Sequence, residues 1–326
     1  MGSFVPVSCG PRFAAFAIGV ALLAGCASEA PRGEPAPGVV RARPAPAPLA
    51  RVTSWGYWLQ GVDPERVAQS PFGLIVTDPS RDGSRAGEWD PAAVARLRSG
   101  ARLALAYLSV GEAEDYRGYW RPEWKERPPA WLGAENPEWK GNYPVRFWDP
   151  GWQALFLADD GPLLRLIRAG FDGVYLDRVD VYEHWAAAGS QGGPQAGLDE
   201  AEAARRMSAF VLALARRARA ARPGFLVVVQ NAPALAVRPE VLRAIDGVAL
   251  ESTFYVEERP QDPAETREVL GYAQQVRSAG KPVFSVDYCR DPTRVADAYR
   301  RARAAGLVPY STVRALDRLV VGEGKE

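Results

Sequence analysis

Short apolar runs recur along the chain from about residue 54, and the stretches between them carry apolar residues at helical spacing. Candidate strands cover 54–59, 73–77, 102–110, 173–176, 225–229, 247–250, 282–286 and 307–311, eight in all. Strands alternating with helices predict a parallel sheet, and that number closes a (β/α)8 TIM barrel. A doubly wound open sheet is the alternative, but no Gly-rich phosphate turn follows the first strand. Asp-Pro dipeptides at Asp63-Pro64, Asp90-Pro91, Asp149-Pro150, Asp262-Pro263 and Asp291-Pro292 each open a helical stretch. There Asp caps the free N–H groups of the first turn, and Pro lacks only a donor that the helix leaves unused. The longest helix is predicted over 198–221, with Met207, Phe210, Val211 and Leu214 on one face.

One stretch, 170–180, reads G-F-D-G-V-Y-L-D-R-V-D, and its core is echoed at 245–251 as I-D-G-V-A-L-E. In each copy an Asp-Gly turn feeds an apolar run that stops on a carboxylate. Period-2 alternation sends Val174 and Leu176 one way and Gly173, Tyr175 and Asp177 the other. In a barrel the first set suits the helix-covered outside, and the second brings Asp177 to the mouth. Val248 and Leu250 sort outward in the same way and Glu251 inward. The strand ends read Gln60, Asp78, Glu112, Asp177, Gln230 with Asn231, Glu251, Asp287 and Thr312, of which five are acidic. Any one of them could be a helix cap, but together they are the polar ring that a barrel enzyme presents at its C-terminal face.

Composition narrows the chemistry. With 326 residues and 47% hydrophobic content the chain can bury a large core, and Lys+Arg 40 against Asp+Glu 39 leaves no net field to attract nucleic acid. The single histidine, His184, is expected on a loop at the rim, and the three cysteines are Cys9, Cys26 and Cys289. His-dependent nucleophilic catalysis and zinc hydrolysis are therefore poor candidates, which leaves carboxylates as the acid/base groups.

The termini and one insertion complete the organisation. Residues 1–26 have an apolar segment, 13–23, ending in Leu23-Ala24-Gly25-Cys26, which resembles a bacterial lipobox. Cys26 is the expected lipidation site, and Ala27 in place of an Asp points to the outer membrane of a Gram-negative cell envelope. Residues 27–50 are rich in Pro, Ala and Arg and form a linker to the barrel domain, 51–326. After the third strand an insertion at about 113–148 holds Tyr116, Tyr119, Trp120, Trp124, Trp131, Trp139, Tyr143, Phe147 and Trp148. Most of these rings are expected to form the insertion's own core, with one or two left to stack on sugar.

Several runs carry a resemblance: Leu108-Ser109-Val110-Gly111-Glu112, Glu135-Asn136-Pro137-Glu138-Trp139, Phe147-Trp148-Asp149-Pro150 and 170–180. Over roughly 55–312 the chain resembles a group of glycoside hydrolases typified by a hypothetical thermophile protein, itself similar to glycoside hydrolase family 114, the endo-α-1,4-polygalactosaminidases. The resemblance implies a TIM barrel without a metal or other cofactor. It matches Asp177 to the nucleophile position after strand four and Glu251 to the acid/base position after strand six. Glu112, Asp78, Asp287 and Asn231 are then candidates for sugar hydroxyl or amine contacts, along with the strand-end Gln60. Trp58 and Tyr255 are candidates to stack or donate, and Asp180 to orient Arg178 or bind substrate.

The expected function is a retaining, endo-acting glycosidase on an amino-sugar polysaccharide, with the two carboxyl groups about 5 to 5.5 Å apart. A non-catalytic envelope or exopolysaccharide-binding lipoprotein on the same barrel is the alternative, although both acids are present. The expected partners are the polysaccharide and, through the lipid, a membrane; the chain is expected to be a monomer. Acids crowding the mouth predict a negative cleft that favours a glycan with free amines, unless Arg117, Arg178 and their neighbours neutralise them in pairs.

Overall fold

The computed structural model describes residues 48–190 and 198–322. The leader, Cys26 and nearly all of the linker lie outside the described residues. All eight apolar runs form strands: β1 (Trp55–Trp58), β2 (Leu74–Thr77), β3 (Leu103–Ser109), β4 (Gly173–Asp177), β5 (Leu226–Gln230), β6 (Gly247–Glu251), β7 (Val283–Asp287) and β8 (Val308–Ser311). They pair in sequence order as one parallel eight-stranded sheet. The sheet curls until first and last strands meet. At that seam the Trp55 indole Nε1 donates to the Val308 carbonyl at 3.0 Å, and the Leu59 and Gln60 N–H groups donate to the Leu316 carbonyl at 2.9 and 3.0 Å. This is the (β/α)8 TIM barrel.

Alternation sorts the side chains. Trp55 points inward, where its ring meets Tyr57, Tyr175, Phe284 and Tyr310 at centroid distances of 5.4 to 6.3 Å. These rings fill the barrel floor, so the interior is a packed core and only its upper end is free for chemistry. Gly56 and Trp58 face the other way, and a Cβ on Gly56 would meet Leu319 at 2.9 Å and Phe72 at 3.0 Å. Val174 and Leu176 are fully buried, as their outward phase beneath the helices requires.

The helices follow as α1 (Pro64–Gln69), α2 (Pro91–Leu97), α3 (Pro150–Leu157), α4 (Pro162–Ala169), α5 (Val181–Ser190), α6 (Glu200–Ala221), α7 (Pro233–Ala236), α8 (Pro239–Ala244), α9 (Pro263–Ser278) and α10 (Pro292–Ala304). In all five Asp-Pro pairs the Asp side chain accepts from a first-turn N–H and Pro stands at the helix start. Met207, Phe210, Val211 and Leu214 are the buried face of α6.

The insertion has a built interior. Glu112–Glu114 pairs antiparallel with Asn142–Pro144. Trp120 stacks on Tyr143, while Trp124 packs edge-on against Trp131, and Trp131 meets Trp152 of α3, each at 5.0 Å. Most of its aromatics are thus spent on packing. Tyr116 and Trp139 are the exceptions, 45% and 44% exposed.

Candidate active site

Three neighbouring strands end in the same way. Arg178, Asn231 and Ser252, the residues that follow β4, β5 and β6, have left-handed backbone with φ of 57°, 54° and 51°. Asn tolerates this conformation, whereas Arg and Ser are held in it at a cost of about 1 kcal/mol each. The repeated kink turns the chain sharply at the barrel mouth and leaves the last strand carboxylates aimed into a cleft of about 850 Å³. Asp177 Oδ2 accepts from the Tyr107 hydroxyl at 2.7 Å. Glu251 accepts from Asn231 Nδ2 at 2.5 Å and from the Tyr288 hydroxyl, while its own N–H donates to Asn231 Oδ1 at 2.9 Å. Burial, and after it the Glu251 charge, push the Asp177 carboxyl up to about 7 against the pull of Tyr107 and Arg178. The Asp177 carboxyl therefore senses the Glu251 charge across the cleft.

Around this pair four other acids share two arginines. Arg117, its side chain only 10% exposed, reaches Asp78 at 2.7 Å and Glu114 at 2.5 Å. Arg178 reaches Glu112 at 3.0 Å and Asp180 at 3.8 Å. Glu112 also accepts from Asn136 Nδ2 at 2.9 Å and Asn142 Nδ2 at 3.4 Å, both from the insertion. Burial is the largest effect on Asp78, raising its carboxyl despite Arg117, and on Asp180, raising it to about 6 despite Arg178. Asp177 and Glu251 have no cationic partner at ion-pair distance among the described residues, and hydroxyl and amide donors hold them instead. An arrangement of this kind, paired structural charges around two free acids, can add and remove protons at a bond placed between them.

The sequence profile of glycoside hydrolase family GH114 matches residues 37–325. The chain belongs to glycoside hydrolase family GH114. An uncharacterized protein of Deinococcus radiodurans is 41% identical over 84% of this chain and 85% of its own length. Another, from Thermotoga maritima, is 35% identical over 79% of this chain and 80% of its own. Among solved structures, the glycoside hydrolase domain of PelA from Pseudomonas aeruginosa aligns with 83% of this chain and 98% of that one, at 22% identity and a TM-score of 0.63. That likeness is one of fold.

Within the GH114 barrel the expected site residues separate into two groups. Gln60, Asp78, Glu112 and Asn231 line the same cleft as Asp177 and Glu251. Trp58, Asp180, Tyr255 and Asp287 stand off its wall. Trp58 lies on the outward phase of β1, beneath the Arg66 guanidinium at 5.3 Å, and donates from Nε1 to the Gln60 carbonyl at 2.7 Å. Tyr255 donates its hydroxyl to Asp297 at 2.8 Å. Asp287 is buried and accepts from the Phe254 and Tyr255 N–H groups at 2.8 and 2.9 Å, so it braces the loop after β6. Asp180 sits behind Arg178 with Oδ1 buried and, among the described residues, without a hydrogen-bond partner. His184, expected on a rim loop, is on α5 instead.

Asp287 shows why strand-end reading misplaces a residue. Phe284 of β7 faces the Trp55 ring inside the barrel, so the inward phase continues through Val286 to Tyr288. Tyr288, one residue beyond the strand, is what arrives at Glu251. Tyr107 was missed for a related reason: it lies two positions before the end of β3, opposite Tyr175 in the register, and reaches Asp177 only through the length of its ring. Tyr107 lies one pleat below the end of its strand and Tyr288 one residue beyond the end of its own, and a tyrosine on the inward phase close to a strand end is the signal for both. The expected acidic mouth is also changed, because Arg117 and Arg178 each bridge two of its carboxylates and so offset two of those four charges.

Proposed function

We propose that the chain is a retaining, endo-acting glycosidase that cleaves an amino-sugar polysaccharide of the galactosaminan kind. The observation that carries this is the pair Asp177 and Glu251, at the ends of alternate strands of a GH114 barrel, both lining one cleft and each held by its own neutral donors. Asp177 attacks the anomeric carbon as a carboxylate and forms a glycosyl ester as the bond to the leaving oxygen breaks. Glu251 gives its proton to that oxygen. It then takes a proton from water, which attacks the same carbon and frees Asp177. In the empty site burial and the Glu251 charge raise the Asp177 carboxyl. Growing positive charge at the anomeric carbon favours its carboxylate form. In a retaining enzyme the carboxyl groups stand about 5 to 5.5 Å apart.

A cleft of about 850 Å³ supports binding of several sugar units at once, which suits an endo-acting enzyme. Among the described residues its wall carries seven acidic and five basic side chains, a surplus of two acids that suits a glycan with some free amines. The test is incubation with partly deacetylated galactosaminan, following new reducing ends, fragment sizes and the anomer first released by NMR. Mid-chain fragments of retained configuration are expected, and Asp177→Asn should lower the rate by at least about a thousandfold. An inverted anomer, or equal turnover by Asp177→Asn, would overturn the mechanism.

A further inference from the structure

Of the insertion's nine aromatic residues, seven are packed away and two remain exposed. The two differ. The Tyr116 hydroxyl is committed to Glu114 at 2.7 Å, its ring lies under Arg117 at 5.0 Å, and Gly83 is so close that a Cβ there would stand 2.5 Å from it. Trp139 has the Arg314 guanidinium over its indole at 5.2 Å and, among the described residues, no other ring contact. Arg314 follows β8, so the insertion after β3 meets the far side of the mouth at this residue. Trp139 and Arg314 both line the cleft that holds Asp177 and Glu251.

Trp139 is also tied to the chemistry through its own turn. Its N–H donates to the Asn136 carbonyl at 3.2 Å and its carbonyl accepts from the Asn142 N–H at 3.0 Å. The side chains of those two asparagines both donate to Glu112, which bonds Arg178 next to Asp177. The indole is thus set at a fixed distance from the catalytic pair by a short, closed hydrogen-bonded turn. The indole is 44% exposed and so leaves apolar ring surface open on the cleft wall.

Resting on the glycosidase reading above, we infer that Trp139 is a sugar-stacking platform at a remote subsite of the cleft. Arg314 is its positioning residue, holding the plane of the ring. The open indole face takes the C–H face of a sugar several units from the scissile bond, and Arg314 keeps the ring from folding onto the barrel rim. Binding energy gained there is uniform, the same in ground and transition states, so it acts on KM and leaves kcat alone.

The experiment compares kinetics on partly deacetylated galactosaminan oligomers graded by length. Trp139→Ala should raise KM about tenfold for long oligomers, ~1.4 kcal/mol, and leave both KM and kcat unchanged for the shortest one cleaved. Trp139→Phe should recover most of the loss, and Arg314→Ala should give a smaller rise with the same dependence on length. Equal KM for Trp139→Ala and the parent at every length, with Asp177→Asn inactive, overturns the platform and leaves the glycosidase reading standing. A length-dependent rise in KM together with full activity of Asp177→Asn supports the platform and overturns that reading instead.

Discussion

The Asp177 carboxyl is only partly open to the cleft and faces Glu251, so its ionisation works against the fold. A carboxyl raised to about 7 from an ordinary 3.8 binds its proton more tightly in the folded chain than in the unfolded one. Stability is therefore lost as pH rises from about 4 through 7. Asp177→Asn removes the charge, and thermal unfolding at pH 8 should rise by about 2–4 °C, on the order of 1 kcal/mol once solvent from the cleft is allowed for. The gain should shrink as pH falls and vanish near pH 4; an equal gain at every pH would mean that packing and not charge is responsible. Tyr288 donates its hydroxyl to Glu251 and holds that side chain in place. Tyr288→Phe, which removes the bond, should lower kcat/KM by about tenfold. A kcat/KM equal to the parent's would remove Tyr288 from the machinery.

Strand ends and the turns beyond them are the elements that make the site. Gly111, in the run Leu108-Ser109-Val110-Gly111-Glu112, lies where the loop after β4 crosses the loop after β3. A Cβ there would stand 2.0 Å from the Arg178 carbonyl and 2.5 Å from Val181 Cγ1. Neither the backbone carbonyl nor the first turn of α5 can yield without moving Arg178 out of its left-handed conformation. Gly111→Ala should accordingly cost about 1–3 kcal/mol, seen in denaturant unfolding, and lower kcat/KM well beyond what the lost folded fraction explains. Stability and activity both equal to the parent would show that the crossing is looser than its geometry. The Asp-Pro helix starts are a contrasting case. They are entirely local, and all five behave as their two residues dictate.

For the whole molecule, the near balance of charge conceals an uneven distribution. The cleft wall has two more acids than bases, while the complete chain has a formal charge of +1. The barrel also has an expected address. We propose that Cys26 carries a lipid that holds the barrel at the outer membrane by way of the Pro-rich linker. Cys26→Ser should abolish metabolic fatty-acid labelling and release the protein into the soluble fraction, since one lipidated residue provides the anchor. Continued labelling and sedimentation with membranes would refute it.

The sequence by itself determined the strand count, the helix starts, the long helix, and the two carboxylates at equivalent strand ends. Each of these rests on interactions within a few residues: a period of two, a cap and its first turn, or a period of 3.6. Tertiary structure alone decided which polar groups meet. Tyr107 finds Asp177 across 70 positions, Tyr288 finds Glu251 across 37, and Arg117 finds Asp78 across 39. Packing likewise decided that Trp139 stays open while its neighbours in the insertion close on one another. No local pattern encodes these pairings, because burial, register and strand phase must all be set before a side chain's length and direction select its partner.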